Sequence, residues 1–347
     1  MAQFITSLLC AVKAALFLLC AQVQSQLTEA GSVVVRYDDP LIYYNGRWDD
    51  EPETWWTSSG FKINVQNLSN LTLNLGPYTS NPVLLGVSIN YGNFTGFNAT
   101  QGANVIPLGD LTYASDAVVR INSVGWQDNH MNLESIELNA GANLLPYRPS
   151  HIAFQFIGDS LSAGQYLPLG VDQAWPFLVS EYFRGEHNIQ AQPGIALSDI
   201  DSYGNIHGMS FQFFQTEDTQ YYYDPLHNYT TPWNFKRDYP AATHVVLTLC
   251  SSSSRTYCRC VVHKTYINFL ENIRIIYPVQ PLFIILPWGW PNPEGPPSPY
   301  YVGTYQQVVN HHDVYPSNLH PTIQGHQKVA GYFESWLEEW GMVAEGR

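Results

Sequence analysis

The chain has 347 residues, 45% of them hydrophobic and only 13% charged, a globular composition with length for about two domains. With 29 acidic residues against 15 basic, the formal charge is −14 and no Lys/Arg-rich cluster offsets it, so nucleic acid is excluded as a partner. No apolar run is long enough to span a bilayer, which excludes a membrane-spanning protein.

The N-terminus, "MAQFITSLLCAVKAALFLLCAQVQSQ", sets the apolar stretch "AALFLLCA" after Lys13 and follows it with small residues. Residues 1–25 read as a secretory signal peptide cleaved between Ala21 and Ser25, so the mature protein is expected to be extracellular. Five N-x-[ST] sequons, at Asn67, Asn70, Asn93, Asn98 and Asn228, fit a secreted glycoprotein. Cys250, Cys258 and Cys260, an odd number in one short stretch, are not a disulfide framework.

Residues 27–148 read as all-β. "GSVVVRY", "FKINVQ", "LTLNL", "PVLLGVSINY", "DAVVRINSV" and "LESIELNAG" are short, rich in β-branched residues and separated by turn formers. A β-sandwich of jelly-roll type is expected. "LLPYRPSH", 144–151, closes it as a linker.

From 151 to 342 strands alternate with helices. "IAFQFIG", "THVVLTLC" and "QPLFIILPWG" read as strands. "QAWPFLVSEYFRG", "HKTYINFLENIRIIY" (with Ile267, Leu270, Ile273 and Ile276 along one face) and "PTIQGHQKVAGYFESWLEEWG" read as helices. The pattern predicts a parallel sheet with helices on both faces and a site beyond the C-terminal strand ends. Residues 203–240 have no regular reading. Their aromatics either wall a substrate cleft or form an aromatic satellite core.

In "QFIGDSLSAGQ" a buried strand breaks into Gly158-Asp159-Ser160. This is either a helix N-cap turn or a nucleophile at a strand end. A serine nucleophile needs a base, and "PSNLHPTIQGH" offers His320, in a loop before a helix opened by Pro321 and Thr322. His326 falls inside that helix, where a surface or core role is expected. The "HHD" at 311–313 with His320 matches no standard metal site. No metal or cofactor is expected.

"GDSL" near the start of the α/β region and "LHPT" near its end resemble the SGNH/GDSL hydrolases. With "NGRWDDEPETWW" and a β region in front, the chain resembles the two-domain family two carbohydrate esterases, and more closely a set of secreted fungal esterases with the same two domains. The resemblance implies an α/β, SGNH-hydrolase-like, flavodoxin-like three-layer sheet behind the all-β jelly-roll sandwich. It makes Ser160 the nucleophile and His320 the general base. It gives the backbone N–H groups of Ser160 and Gly194, in "AQPGIALSD", to the oxyanion hole. The substrate it implies is an acylated carbohydrate or small ester, and the expected state is a monomer.

Three features depart from the family pattern. Where the family has G-x-N-D, the chain reads "CSSSSRTYCRC", with Ser252 near the Asn position. Losing one oxyanion donor typically costs about 10²–10³ in turnover. Where the family has D-x-x-H, Ser317 replaces Asp. Family two esterases tolerate that loss by orienting the histidine with a backbone carbonyl, and Asp313 is a second candidate. Between "YYVGTYQQVVNHH" and His320 no apolar run supplies the expected further strand. Trp288 and Trp290, after the strand "LFIIL", are placed at the substrate cleft. The reading is therefore a secreted serine esterase, divergent or shortened. The alternative is a catalytically degenerate carbohydrate-binding glycoprotein.

Overall fold

A computed structural model describes residues 26–27, 31–109, 116–126, 129–218, 230–249, 259–285, 290–292, 295–298 and 312–346. Two six-stranded antiparallel sheets form the N-terminal portion. One runs β1 (Gln26–Leu27), β2 (Val33–Arg36), β11 (Met131–Leu138), β6 (Leu71–Leu75), β9 (Gly102–Val105), with β4 (Glu53–Thr54) also on β11. The other runs β12 (Asn143–Leu145), β5 (Gly60–Gln66), β10 (Asp116–Ser123), β7 (Val83–Ile89), β8 (Thr95–Ala99), with β3 (Tyr43–Asn45) also on β5. Phe61, Ile63 and Val65 of β5 and Leu71, Leu73 and Leu75 of β6 alternate into one shared apolar core. The β-branched segments became the longer strands. β3, β4, β8, β9 and β12 are too short or too polar to carry a visible period.

The second portion holds a parallel sheet in the order β14 (Glu186–Gln192), β13 (Ala153–Asp159), β15 (His244–Thr248), β16 (Leu282–Ile284). Every residue of β13 is buried. Phe154 and Phe156 pack on one side, against α2 (Trp175–Phe183) and α5 (Ile323–Glu339), and α1 (Ser160–Ala163) opens there. Ile157 packs on the other, against α3 (Met209–Gln212) and α4 (Arg259–Ile276).

One expectation changes here, two features were not anticipated and one open alternative is settled. Along α4 and at the residue just past its end the buried positions are Phe269, Ile273 and Tyr277, while Ile267 is exposed. A three-residue step turns about 300°, so a line of such steps winds off the face, whereas four-residue steps hold it. Strand β14, "EHNIQAQ", has no apolar signature, yet Glu186, His187, Gln190 and Gln192 are buried. The sandwich covers its edge, and the Gly46 N–H donates to Asn188 Oδ1 at 2.8 Å. The stretch "PWGWPNPEGPPS" contains a short antiparallel ribbon, β17 (Trp290–Asn292) with β18 (Gly295–Ser298). Within 203–240, Phe213, Phe214 and Phe235 join the core on the α4 side as an aromatic cluster. Between residue 312 and His320, where the sequence offered no apolar run for the expected further strand, the chain forms turns and one isolated antiparallel bridge, Val314 with Pro321, and no strand.

The stretch "NGRWDDEPETWW" joins the two portions. Trp56, fully buried, packs into the α4-side core and donates from Nε1 to the Thr216 carbonyl at 2.9 Å. Arg47, also buried, donates to the Gln215 carbonyl at 2.5 Å and lies against the rings of Trp56, Phe213, Trp233 and Phe235. Burial pulls its guanidinium down to about 10. Two ion pairs add to the junction: Arg120 holds Glu181 with two bonds, at 2.7 and 2.8 Å, and Lys62 on β5 meets Glu186 on β14.

Candidate active site

The site grows from the end of β13. Both neighbours of β13 are parallel to it, and the chain leaves to β14 on one side and returns to β15 on the other. This is the point in an open parallel sheet where a crevice opens at the carboxyl ends of the strands. Asp159 ends β13 and caps α1, its side chain accepting from the Leu161 N–H at 3.0 Å. Ser160 is therefore the first helical residue, and its N–H has no partner within the helix. The N-cap turn and the candidate nucleophile coexist here, with Asp159 as the cap.

Gly194 follows β14 by two residues. Asp159 is in register with Gln192, so Ser160 and Gly194 both follow the C-terminal ends of these two adjacent strands. Its φ is +74°, and a Cβ there would sit 2.6 Å from the Tyr203 Cβ, so only glycine fits without strain. Asn205 Nδ2 donates to the Pro193 carbonyl at 2.9 Å and pins this turn.

His320 comes from the loop before α5. Its Nε2 lies 3.0 Å from Ser160 Oγ, and its Nδ1 lies 3.2 Å from the Asn318 carbonyl oxygen. A carbonyl only accepts, so Nδ1 carries the proton and Nε2 the lone pair, and the Ser160 hydroxyl donates to it. Asn318 also holds the histidine backbone, accepting from the His320 N–H at 2.9 Å through Oδ1. Between them Leu319 takes a left-handed φ of 61°, which folds the chain back so that both contacts form. Burial lowers the His320 imidazole below its ordinary value of 6.5, against a smaller upward pull from Asn318.

Asp313 points elsewhere: its Oδ1 accepts from Lys328 Nζ at 2.6 Å. The carbonyl facing Nδ1 belongs to Asn318. A backbone group leaves no side-chain signature in sequence, so only the resemblance pointed to that arrangement, without a residue. His326 is fully buried, accepts from the Trp175 N–H at 3.2 Å, and is driven down to about 3 by burial and by His320, so it packs neutral in the core.

Around the pair stand aromatic residues that the sequence reading did not single out. The Tyr166 ring meets His320 edge to face at 5.0 Å, and Trp126 of the sandwich lies 5.6 Å from Tyr166. Ser252 and Trp288 lie outside the described residues, and Trp290 opens β17. Asn67, Asn70, Asn93 and Asn98 are exposed, and Asn228 lies outside the described residues. Among the described residues no cluster of His, Cys, Asp or Glu is arranged to hold a metal ion, and no helix is long and apolar enough to cross a membrane.

No family model and no curated protein matches the sequence. Solved structures match in shape. An acetyl xylan esterase from the rumen bacterium Butyrivibrio proteoclasticus superposes with a TM-score of 0.67 at 12% identity, covering 88% of this chain and 98% of that one. A family two carbohydrate esterase from Cellvibrio japonicus gives 0.66 at 12% identity, over 89% and 97%. Another, from Clostridium thermocellum in complex with cellohexaose, gives 0.62 at 16% identity, over 86% and 98%. The chain shares its fold with family two carbohydrate esterases. The likeness spans both the antiparallel sheets and the parallel one, so the two portions match as a unit.

Proposed function

We propose that this chain is a secreted serine esterase that cleaves acyl esters, acetyl foremost, on carbohydrate. The observation that carries it is the Ser160–His320 contact at the sheet's switch point, with Nδ1 held on the Asn318 carbonyl. His320 Nε2 takes the Ser160 proton as Oγ attacks the ester carbonyl. The tetrahedral oxyanion is met by the backbone N–H groups of Ser160 and Gly194, with the Ser252 hydroxyl as a third donor. The intermediate collapses, the sugar alkoxide leaves with the proton from His320, and an acyl-Ser160 ester remains. Water then loses a proton to His320, attacks the acyl carbon, and the proton returns to Oγ as the carboxylic acid departs.

In the same reading residues 1–25 are a signal peptide and 27–148 a jelly-roll domain with glycans on its exposed asparagines. Residues 151–342 are the hydrolase domain, the mature protein is a monomer, and Trp288 and Trp290 border the cleft. The fold shared with esterases supports it. The test is release of acetate from an aryl acetate and from acetylated xylan. A purified parent no faster than its Ser160→Ala variant sinks the proposal. The second reading, a degenerate carbohydrate-binding glycoprotein, rests on "CSSSSRTYCRC" standing where an Asn donor belongs. Polysaccharide affinity without ester hydrolysis would favour it.

The pH profile follows from His320. The base works unprotonated, and burial holds its pKa below 6.5. kcat/KM is therefore expected to fall on acidification as His320 takes up a proton, with the midpoint of that limb below pH 6.5. A limb with its midpoint above 6.5 contradicts the buried, carbonyl-held geometry.

A further inference from the structure

We propose that Trp126 and Tyr166 together form a binding wall for a neutral sugar ring of the substrate. The wall is built jointly by the sandwich and the parallel-sheet portion. The inference rests on the esterase reading of Ser160 and His320, and names the part of the substrate that this face of the site takes.

Tyr166 lies between Trp126 and His320, its ring centroid 5.6 Å from the first and 5.0 Å from the second. The residue nevertheless remains 43% exposed, so part of it opens to solvent beside the reacting pair. A side chain next to the base, half covered and half wet, suits a ligand with an apolar face and hydroxyls at its rim. A pyranose ring has that chemistry: its C–H face packs on an aromatic ring while its hydroxyls stay hydrated or bond to the phenol.

The backbone is also committed to the arrangement. Tyr166 has a left-handed φ of 71°, an outlier for a bulky residue. The surroundings hold it there. The Tyr315 hydroxyl donates to the Tyr166 carbonyl at 3.4 Å, and the Leu167 N–H donates to the Gly164 carbonyl at 3.1 Å.

The sandwich clamps the same loop two residues before Trp126. The Val171 N–H donates to the Val124 carbonyl at 3.0 Å, and the Val124 N–H donates to the Leu84 carbonyl at 3.0 Å. A Cβ on Gly170 would lie 1.8 Å from that Val124 oxygen, so the two portions meet here backbone to backbone. Trp126 is thus fixed relative to the nucleophile's helix by hydrogen bonds rather than by a flexible linker. Its half-buried indole meets the Tyr166 ring, which in turn meets His320.

The experiment uses full-length protein carrying Trp126→Ala, Tyr166→Ala or Trp126→Phe, each checked by thermal unfolding. Xylohexaose is titrated by calorimetry into each on the Ser160→Ala background. Affinity is expected to fall about tenfold, equivalent to roughly 1.4 kcal/mol, in the two alanine variants and to be largely kept in Trp126→Phe. With Ser160 intact, the ratio of kcat/KM on acetylated xylohexaose to that on ethyl acetate is expected to fall by a similar factor in the two alanine variants. Xylohexaose that does not bind, or binds equally to parent and alanine variants, overturns the proposal. An equal loss of kcat on both esters also overturns it, since the rings would then only position His320. If Trp126-dependent binding is present but no ester is hydrolysed, the esterase reading falls and the wall stands.

Discussion

Ser160→Ala, His320→Ala and the double variant are expected to show the same loss of kcat, about 10⁶ in an enzyme whose serine and histidine act as one unit. Without Ser160 there is no oxygen to form the acyl intermediate. Without His320 the hydroxyl keeps its proton, because Nε2 at 3.0 Å is the base that faces it. Each variant removes the same step, so the second substitution adds nothing to the first. The check is single-turnover hydrolysis of an aryl acetate by all three proteins. Independent contributions, with the double variant slower than either single, would mean that the pair does not act in concert. Asp313→Asn serves as the internal control. In a triad whose aspartate orients the histidine, that change costs about 10⁴. Here Nδ1 meets the Asn318 carbonyl and Asp313 meets Lys328, so kcat is expected to hold.

Lys62→Met is expected to cost about 3–5 kcal/mol of stability, the usual price of stranding one member of a buried ion pair. The Lys62 and Glu186 side chains are only 6% and 5% exposed. Burial pushes the Glu186 carboxyl up. Lys62, with bonds from the Ser150 N–H and the Tyr147 hydroxyl, more than reverses that and holds it below the usual carboxylate range. A depressed carboxyl contributes stability above its unfolded pKa and loses it as pH falls through the folded value. Removing Lys62 inverts the sign: Glu186 is then raised by burial, so the deficit is largest at neutral pH and shrinks on acidification. Lys62→Met/Glu186→Gln is expected to recover most of the loss, because the amide carbonyl still accepts both bonds and no buried charge remains. Urea unfolding at pH 7 and pH 5 reads all of this. A deficit independent of pH would mean that the loss comes from the contacts of the Lys62 ammonium with the Tyr43 and Tyr147 rings rather than from Glu186.

The pattern of the sequence carried the candidate nucleophile and its candidate base because both have local signatures. Ser160 interrupts an apolar strand, and His320 sits in a loop just before a Pro-Thr helix start. The period-two strands and the later alternation of strands with helices were legible for the same reason, since burial of one face leaves its period in the chain. Strand β14 was not legible, because its burial comes from another part of the protein covering a polar edge. Nor was the role of "NGRWDDEPETWW", whose Arg47 and Trp56 make sense only against Phe213 and Thr216.

What the sequence by itself determined, then, was which residue types could do chemistry and where the chain changed its period. Tertiary structure alone decided which groups meet. The Ser160–His320 contact joins positions 160 residues apart. The group on Nδ1 is a main-chain carbonyl, identical in every residue and therefore silent in the sequence. Trp126 reaches Tyr166 only because two sets of sheets dock through backbone hydrogen bonds, at Val124 and Val171. Local pattern records what one segment buries. The partners that complete a site are chosen by docking, which no single segment records.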